Sequence, residues 1–268
     1  MEDLIHTCIQ ANINYLGLRR VDEVLDRIIE EATKANLSYL EFLDRLLEAE
    51  VTGFKERRVE QRIRLARFPY LKTIDSFDFN FQPSVDKKRI KELLTLRFIG
   101  NGENVIILGP PGVGKTHLAV AIGVAACQQG EYVYFITAEE LIISLKQGFT
   151  DGRLKERFRF YLKPKLLIID ELGYLPLERT DANLFFQLIA KWYEHWAIIM
   201  TSNRGYVEWG EVFGDNVIAV AILDRLLHHS VTINIKGESY RLKEKRKAGL
   251  LTKSGLEDMI KEEKGMEN

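Results

Sequence analysis

The chain has 268 residues, of which 46% are hydrophobic and 29% charged, with six prolines and no low-complexity tract. This composition excludes a disordered, collagen-like or disulfide-scaffold protein and indicates a soluble globular one. Lysine and arginine total 38 against 39 acidic residues, so the net charge gives no argument for a nucleic-acid or membrane partner. The distribution of charge along the chain is therefore more informative than its sum.

Cysteine usage and the first residues indicate a cytoplasmic protein. Cys8 and Cys127 lie far apart, and neither has a second cysteine at metal or redox spacing. The N-terminus carries Glu2 and Asp3 rather than a basic segment and an apolar core, and no apolar run approaches about 18 residues. We expect neither export nor a membrane span.

The first predicted elements are helices. From Leu18 to about Lys72, apolar residues recur at helical spacing between charged ones, and Ser38 with Glu41 forms a capping box. The last of these segments, Lys55 to Lys72, has seven basic residues against two acidic ones. We predict an all-helical interaction domain over residues 1–75. Its basic helix could contact DNA or an acidic partner surface, and exposed apolar stripes could also form a dimer or dock a partner protein.

An aromatic connector follows. Phe77, Phe79 and Phe81 alternate with polar residues and end at Pro83, which indicates an extended segment that buries its rings on a neighbouring surface. We place the start of the second domain at residue 76 and its end at residue 250, before a charged tail over 251–268.

Short apolar runs then alternate with helical patterns. The predicted strands are Asn104–Leu108, Tyr132–Ile136, Leu166–Ile169, Ala197–Met200 and Val231–Ile235. The predicted helices include Ser84–Leu96, Thr116–Gln129, Thr137–Gly148 and Asp181–Trp196. This alternation predicts an α/β fold with a five-stranded parallel sheet between helices.

A phosphate-binding loop follows the first predicted strand. The run from Gly109 to Thr116, GPPGVGKT, matches G-x-x-x-x-G-K-[ST] and opens a helix, which is the context that this motif requires. Its backbone N–H groups curl around the β-phosphate, Lys115 reaches the β- and γ-phosphate oxygens, and the Thr116 hydroxyl binds Mg²⁺. The alternative is a glycine-rich turn that only caps the strand. The predicted nucleotide-binding residues are Gly109, Pro110, Pro111, Gly112, Val113, Gly114, Lys115, Thr116 and the adjacent His117.

Polar residues end the third and fourth predicted strands. Asp170 and Glu171 follow four apolar residues at a carboxyl strand end, where ligands bind in open α/β sheets. Asp170 is the predicted Mg²⁺ ligand and Glu171 the general base, although such a pair can also be a helix cap and a first-turn acid. If the fourth strand lies between the first and third, Asn203 can orient the attacking water; the alternative is an ordinary turn residue.

These three motifs together resemble those of the AAA+ ATPases. Four stretches are further similar to the IstB family of insertion-sequence transposition helper ATPases, relatives of the DnaC-type helicase loaders. They are 170–177 (DELGYLPL), 209–214 (WGEVFG), 221–229 (AILDRLLHH) and 237–243 (GESYRLK). The resemblance covers nearly the whole chain and implies a P-loop AAA+ core behind the helical N-terminal domain.

The resemblance implies an ATP- and Mg²⁺-dependent ATPase that forms a homo-oligomer on duplex DNA and recruits or stimulates a cognate transposase. Because phosphate contacts need only positive charge and N–H donors, we expect the DNA binding to be largely independent of sequence. Arg225 matches the arginine finger that reaches the γ-phosphate of a neighbouring subunit, and Arg241 matches the second sensor arginine. From the residues alone, Arg225 could instead form an intrahelical pair with Asp224 or a neighbouring acid. Only 33 residues follow Ile235, so the helical lid of most AAA+ proteins does not fit.

A second basic segment lies between the second and third predicted strands. Residues 146–165 contain seven basic residues against two acidic ones. In the initiator and loader branch that the chain resembles, an extra helical element at this place lies against nucleic acid. The predicted DNA contacts are Lys146, Arg153, Lys155, Arg157 and Arg159. A solvated helix face is the alternative.

Three other functions fit parts of the pattern. A replicative helicase loader would have the same ATPase core and a different client. A small-molecule P-loop kinase predicts an arginine-rich acceptor lid after the third or fourth strand, and residues 172–177 offer none. A nucleotide-gated scaffold without hydrolysis is disfavoured by Glu171 and Asn203.

Overall fold

Two compact units make up the chain. In this computed structural model, the described residues are 2–174, 176–193 and 195–247. The contacts separate residues 1–62 from the remainder of the chain. The division comes earlier than the expected boundary at residue 75, because Ile63, Ala66 and Phe68 already pack into the core around the sheet. The predicted tail, 251–268, lies outside the described residues.

The N-terminal unit is helical, as predicted. It contains α1 (Glu2–Leu16), α2 (Arg19–Ala35) and α3 (Tyr39–Ala66), the last of which continues into the second unit. The capping box of α3 is present, since Ser38 N donates to Glu41 Oε2 at 2.8 Å and Glu41 N to Ser38 Oγ at 3.3 Å. The two predicted segments on either side of Lys55 form one continuous helix.

The second unit is built on a parallel sheet of five strands in the order β2-β3-β4-β1-β5. The strands are β1 (Asn104–Leu108), β2 (Val133–Thr137), β3 (Leu166–Leu172), β4 (Ala197–Ser202) and β5 (Ser230–Asn234). The order confirms that β4 lies between β3 and β1, as the interpretation of Asn203 requires.

Helices cover both faces of the sheet. Their bounds are α4 (Lys87–Leu93), α5 (Arg97–Gly100), α6 (Lys115–Gln128), α7 (Ala138–Thr150), α8 (Leu154–Tyr161), α9 (Arg179–Trp192), α10 (Trp209–Phe213), α11 (Asn216–Leu227) and α12 (Tyr240–Lys247). In β1, Val105 and Ile107 pack into the cluster that contains α6, whereas Ile106 and Leu108 pack into the cluster that contains α7, α9 and α11. This burial on both faces explains the run of apolar residues from Val105 to Leu108.

The predicted Ser84–Leu96 helix is shorter in the structure. Asp86 caps α4 by accepting from Lys88 N at 2.8 Å, and Leu96 has a left-handed backbone with φ +60°, which ends the helical run. After β5, the described chain contains α12. Residues 248–268 lie beyond the described part, so the predicted lack of a lid stays a prediction. No helix in the described ranges is both long and apolar enough to cross a membrane.

Candidate nucleotide site

The phosphate-binding loop connects β1 directly to α6. Gly114 has φ +100°, and a Cβ atom there would lie 2.8 Å from Cε2 of Phe77, so the position requires glycine. Lys115 is buried, and its Nζ donates to the carbonyl oxygens of Gly109 at 2.7 Å and Pro110 at 2.9 Å. Burial lowers the pKa of Lys115, and the nearby carboxylates of Asp170 and Glu171 oppose that shift. An ammonium group is thus held inside the loop.

Asp170 lies buried at the end of β3 and accepts hydrogen bonds from two threonines. Thr116 Oγ1 lies 3.0 Å from Asp170 Oδ2, and Thr201 Oγ1 donates to Oδ1. Burial raises the pKa of Asp170, and these hydroxyl donors oppose the rise. A hydroxyl and a carboxylate side by side are hard oxygen ligands of the kind that Mg²⁺ prefers. The pair therefore fits the predicted metal site.

Glu171 has a left-handed backbone conformation, unlike the preceding Asp170. Its φ is +63°, and the register between β3 and β4 shifts between Ile169 and Leu172. Its N–H donates to Thr201 Oγ1 at 2.9 Å, so one hydroxyl ties both acidic residues to β4. Glu171 is exposed and Asp170 is buried, which leaves the former carboxylate open to a substrate.

Asn203 directly follows β4, beside the carboxyl end of β3. Its Oδ1 atom is buried and has no hydrogen-bond partner among the described residues. An unpartnered buried acceptor is costly, and such an atom is often satisfied by a ligand or water. Asn203 does not belong to the lining of the cavity beside the loop.

A cavity of about 360 Å³ lies beside the loop. Of the predicted site residues, its lining contains Gly112, Val113, Gly114, Lys115, Thr116, His117, Glu171 and Arg241. Gly109, Pro110, Pro111, Asp170 and Arg225 lie outside the lining. The structure thus brings the loop, the exposed acid and the sensor candidate to one cavity.

Residues 70–82, which we call the linker wall, form a side of this cavity that the sequence did not predict. Tyr70, Phe77, Phe81 and Gln82 contribute to its lining. The Phe77 ring is buried, with its centroid 5.3 Å from that of His117. The alternating phenylalanines predicted burial on a neighbouring surface, but they do not specify that this surface is the nucleotide site.

Residues 236–243, the C-terminal strap, close another side. Tyr240 N donates to Gly112 O at 2.9 Å, and Gln82 Nε2 donates to Glu238 O at 3.0 Å. The strap therefore binds both the phosphate loop and the linker wall, and it carries Arg241 into the cavity lining.

Arg225 lies away from this cavity, in the last turn of α11. It shares a small cleft with Asn104 and Trp192, and Asn104 marks the amino end of β1. Its Nη1 donates to Ala221 O at 2.9 Å, and no ion pair in the described parts of the chain includes it. The alternative pair with Asp224 is therefore not formed.

The predicted DNA contacts differ in their surroundings. Lys146 Nζ lies 3.1 Å from Glu178 Oε2 and 3.4 Å from Asp181 Oδ2, so its charge is neutralised within the unit. The other four, Arg153, Lys155, Arg157 and Arg159, are exposed and have no ion-pair partner in the described ranges. They lie on α8 and on the residue before it.

This strand order, with the phosphate loop after β1 and the two acids near the carboxyl end of β3, is that of a P-loop core of the AAA+ class. The family model described as "IstB-like ATP binding protein" matches residues 11–248. The chain belongs to this family of ATP-binding proteins.

Named relatives agree with that assignment. The chain is 49% identical to the insertion sequence IS21 putative ATP-binding protein of Pseudomonas aeruginosa, over 92% of this chain and 93% of that one. It is 55% identical to the IS5376 putative ATP-binding protein of Geobacillus stearothermophilus, over 81% of this chain and 86% of the relative. Its fold is similar to that of AMPPCP-bound DnaA from Aquifex aeolicus, with a TM-score of 0.53 and 21% sequence identity. The match covers 71% of this chain and 60% of the DnaA chain.

Proposed function

We propose that the protein is an ATP-dependent DNA-binding AAA+ ATPase that assembles on duplex DNA and recruits or stimulates a partner transposase during DNA transposition. The observation that carries this proposal is the hydrogen-bonded set of Thr116, Asp170, Thr201 and Glu171 beside the phosphate loop, in a chain whose relatives are insertion-sequence ATP-binding proteins. It would act in the cytoplasm, where DNA, ATP and a transposase meet.

The site residues divide the work of binding and hydrolysis. Lys115 and the loop N–H groups bind phosphate oxygens, and Arg241 adds positive charge from the strap. Thr116 and Asp170 would hold Mg²⁺, which neutralises phosphate charge when it is bound. Glu171 accepts the proton of the attacking water, and Asn203, which directly follows β4, would orient this water.

Arg225 would act on the nucleotide of a neighbouring subunit. The phosphate loop follows the carboxyl end of β1, whereas Arg225 shares its cleft with Asn104 at the amino end. A strand of five residues spans about 16 Å, which is too far for an arginine to reach its own γ-phosphate. Hydrolysis would then depend on a homo-oligomer, because an arginine supplied in trans stabilises the transition-state charge.

The exposed cations of α8 support a sequence-tolerant DNA surface. Arg153, Lys155, Arg157 and Arg159 offer charge and N–H donors for phosphates, which carry no sequence information. Binding to this surface should weaken steeply with salt.

The test follows random-sequence duplex DNA by fluorescence anisotropy and particle size together, with ATP, ADP or no nucleotide, at two salt concentrations. Large, salt-sensitive particles with ATP alone are expected. If neither DNA binding nor particle size depends on the nucleotide, the DNA role is contradicted. The client is then tested by capture of the cognate transposase or of the replicative helicase; capture of the helicase alone would favour a helicase loader.

A further inference from the structure

The guanidinium group of Arg225 lies over an aromatic ring of its own subunit. Arg225 Cζ lies 4.6 Å from the centroid of the Phe186 ring, a cation–π distance. The hydrogen bond from Nη1 to Ala221 O uses one of the five N–H donors of the guanidinium. The ring restrains the position of the group without neutralising its charge, and the remaining donors can bind an anion.

Phe186 differs in burial from the adjacent Phe185 on α9. Phe185 is fully buried in the core, whereas Phe186 is only partly buried against its edge. Another apolar side chain of similar volume would cover this edge equally well. What leucine or methionine lacks is the negative face of an aromatic ring, and that face is what Arg225 contacts.

We infer that Phe186 is a positioning residue for Arg225. Its ring orients the guanidinium group of Arg225 toward the γ-phosphate bound by the neighbouring subunit. The inference rests on the proposed role of Arg225 in trans. A side chain that starts in the right orientation loses less freedom when it meets the transition state, so the ring raises the rate of hydrolysis. Phe186 itself does not line the cavity beside the phosphate loop.

The experiment mixes two kinds of full-length subunit on DNA. Acceptor subunits carry Arg225→Ala and keep Glu171, and donor subunits carry Glu171→Gln and keep Arg225. Each alone should hydrolyse ATP slowly, and the mixture should regain turnover. Adding Phe186→Leu to the donor should lower the restored kcat about two- to fivefold with KM for ATP unchanged, whereas Phe186→Tyr should preserve it. Phe186→Met is a second ring-free donor in case the leucine variant does not fold.

Particle size and the thermal unfolding midpoint show that each variant folds and assembles. A ring-free donor that restores the full kcat overturns the inference. Phe186→Leu placed in the acceptor, where the arginine is absent, should change nothing; an equal loss there would indicate a structural role and overturn it too. If the unmodified donor restores no turnover, the trans role of Arg225 fails, and the inference falls with that part of the proposed function.

Discussion

At the nucleotide site, Asp170 and Lys115 are buried and form hydrogen bonds with hydroxyl or carbonyl groups. On α8, by contrast, Lys155 and Arg159 are exposed and have no ion-pair partner in the described ranges. A buried network has one arrangement that satisfies every member, so it selects one ligand geometry. Exposed cations have many arrangements of similar energy and respond to charge alone. Substitutions should therefore be costly in the first region and mild in the second.

The largest effect is expected for Lys115→Ala. Losing the buried ammonium should weaken ATP binding by roughly 100-fold or more and abolish ATP-dependent assembly on DNA, because no other loop side chain supplies that charge. Titration with a fluorescent ATP analogue and circular dichroism measure affinity and fold. The exposed Lys91→Ala on α4 is the control; unchanged ATP affinity in Lys115→Ala would refute the assignment.

Glu171→Gln separates binding from hydrolysis. The amide keeps the shape of the side chain but cannot accept a proton, so turnover should fall about 100- to 1,000-fold while ATP affinity stays within about twofold. Single-turnover hydrolysis of labelled ATP measures the first quantity, and titration the second. A variant that keeps full turnover would remove Glu171 as the base.

Thr201→Val tests the buried network itself. The valine keeps the volume but leaves Asp170 without one donor and Glu171 N–H without its acceptor, so turnover should fall about tenfold. Thr232→Val, at an exposed position of β5, is the matched control and should change turnover little. Equal turnover of the two variants would show that the hydroxyl bridge is not needed.

The smallest effects are expected on the basic segment, and two lysines form a matched pair. Lys155→Ala should weaken DNA binding about two- to fivefold and reduce the salt slope by about one. Lys146→Ala should leave DNA affinity nearly unchanged, because Glu178 and Asp181 already neutralise this lysine. Anisotropy titrations over a salt series measure both, and a larger loss for Lys146→Ala would reverse the ranking.

Local patterns predict the phosphate loop, the two acids at the end of the third strand and the five strands, because each depends on a short run of residues with one period. They do not predict the bridging role of Thr201, although Thr201 lies in the run 200–203 that predicts Asn203. Its role depends on the register shift between Ile169 and Leu172, which involves two strands distant in sequence.

The linker wall and the pairing of Lys146 escape prediction for the same reason. Phe77 meets His117, and Lys146 meets Glu178, only after the sheet has formed. A net charge counted along the segment therefore includes a lysine that the fold has already neutralised.

Glu171 has a consequence for stability engineering. A left-handed backbone costs a residue with a Cβ atom roughly 1–2 kcal/mol, and glycine avoids that cost. Design guided by backbone conformation would therefore select position 171 early for replacement by glycine, and it would delete the carboxylate in doing so. Thermostability and ATP turnover are opposed at this position, so a stabilised form of the protein should be sought elsewhere in the chain.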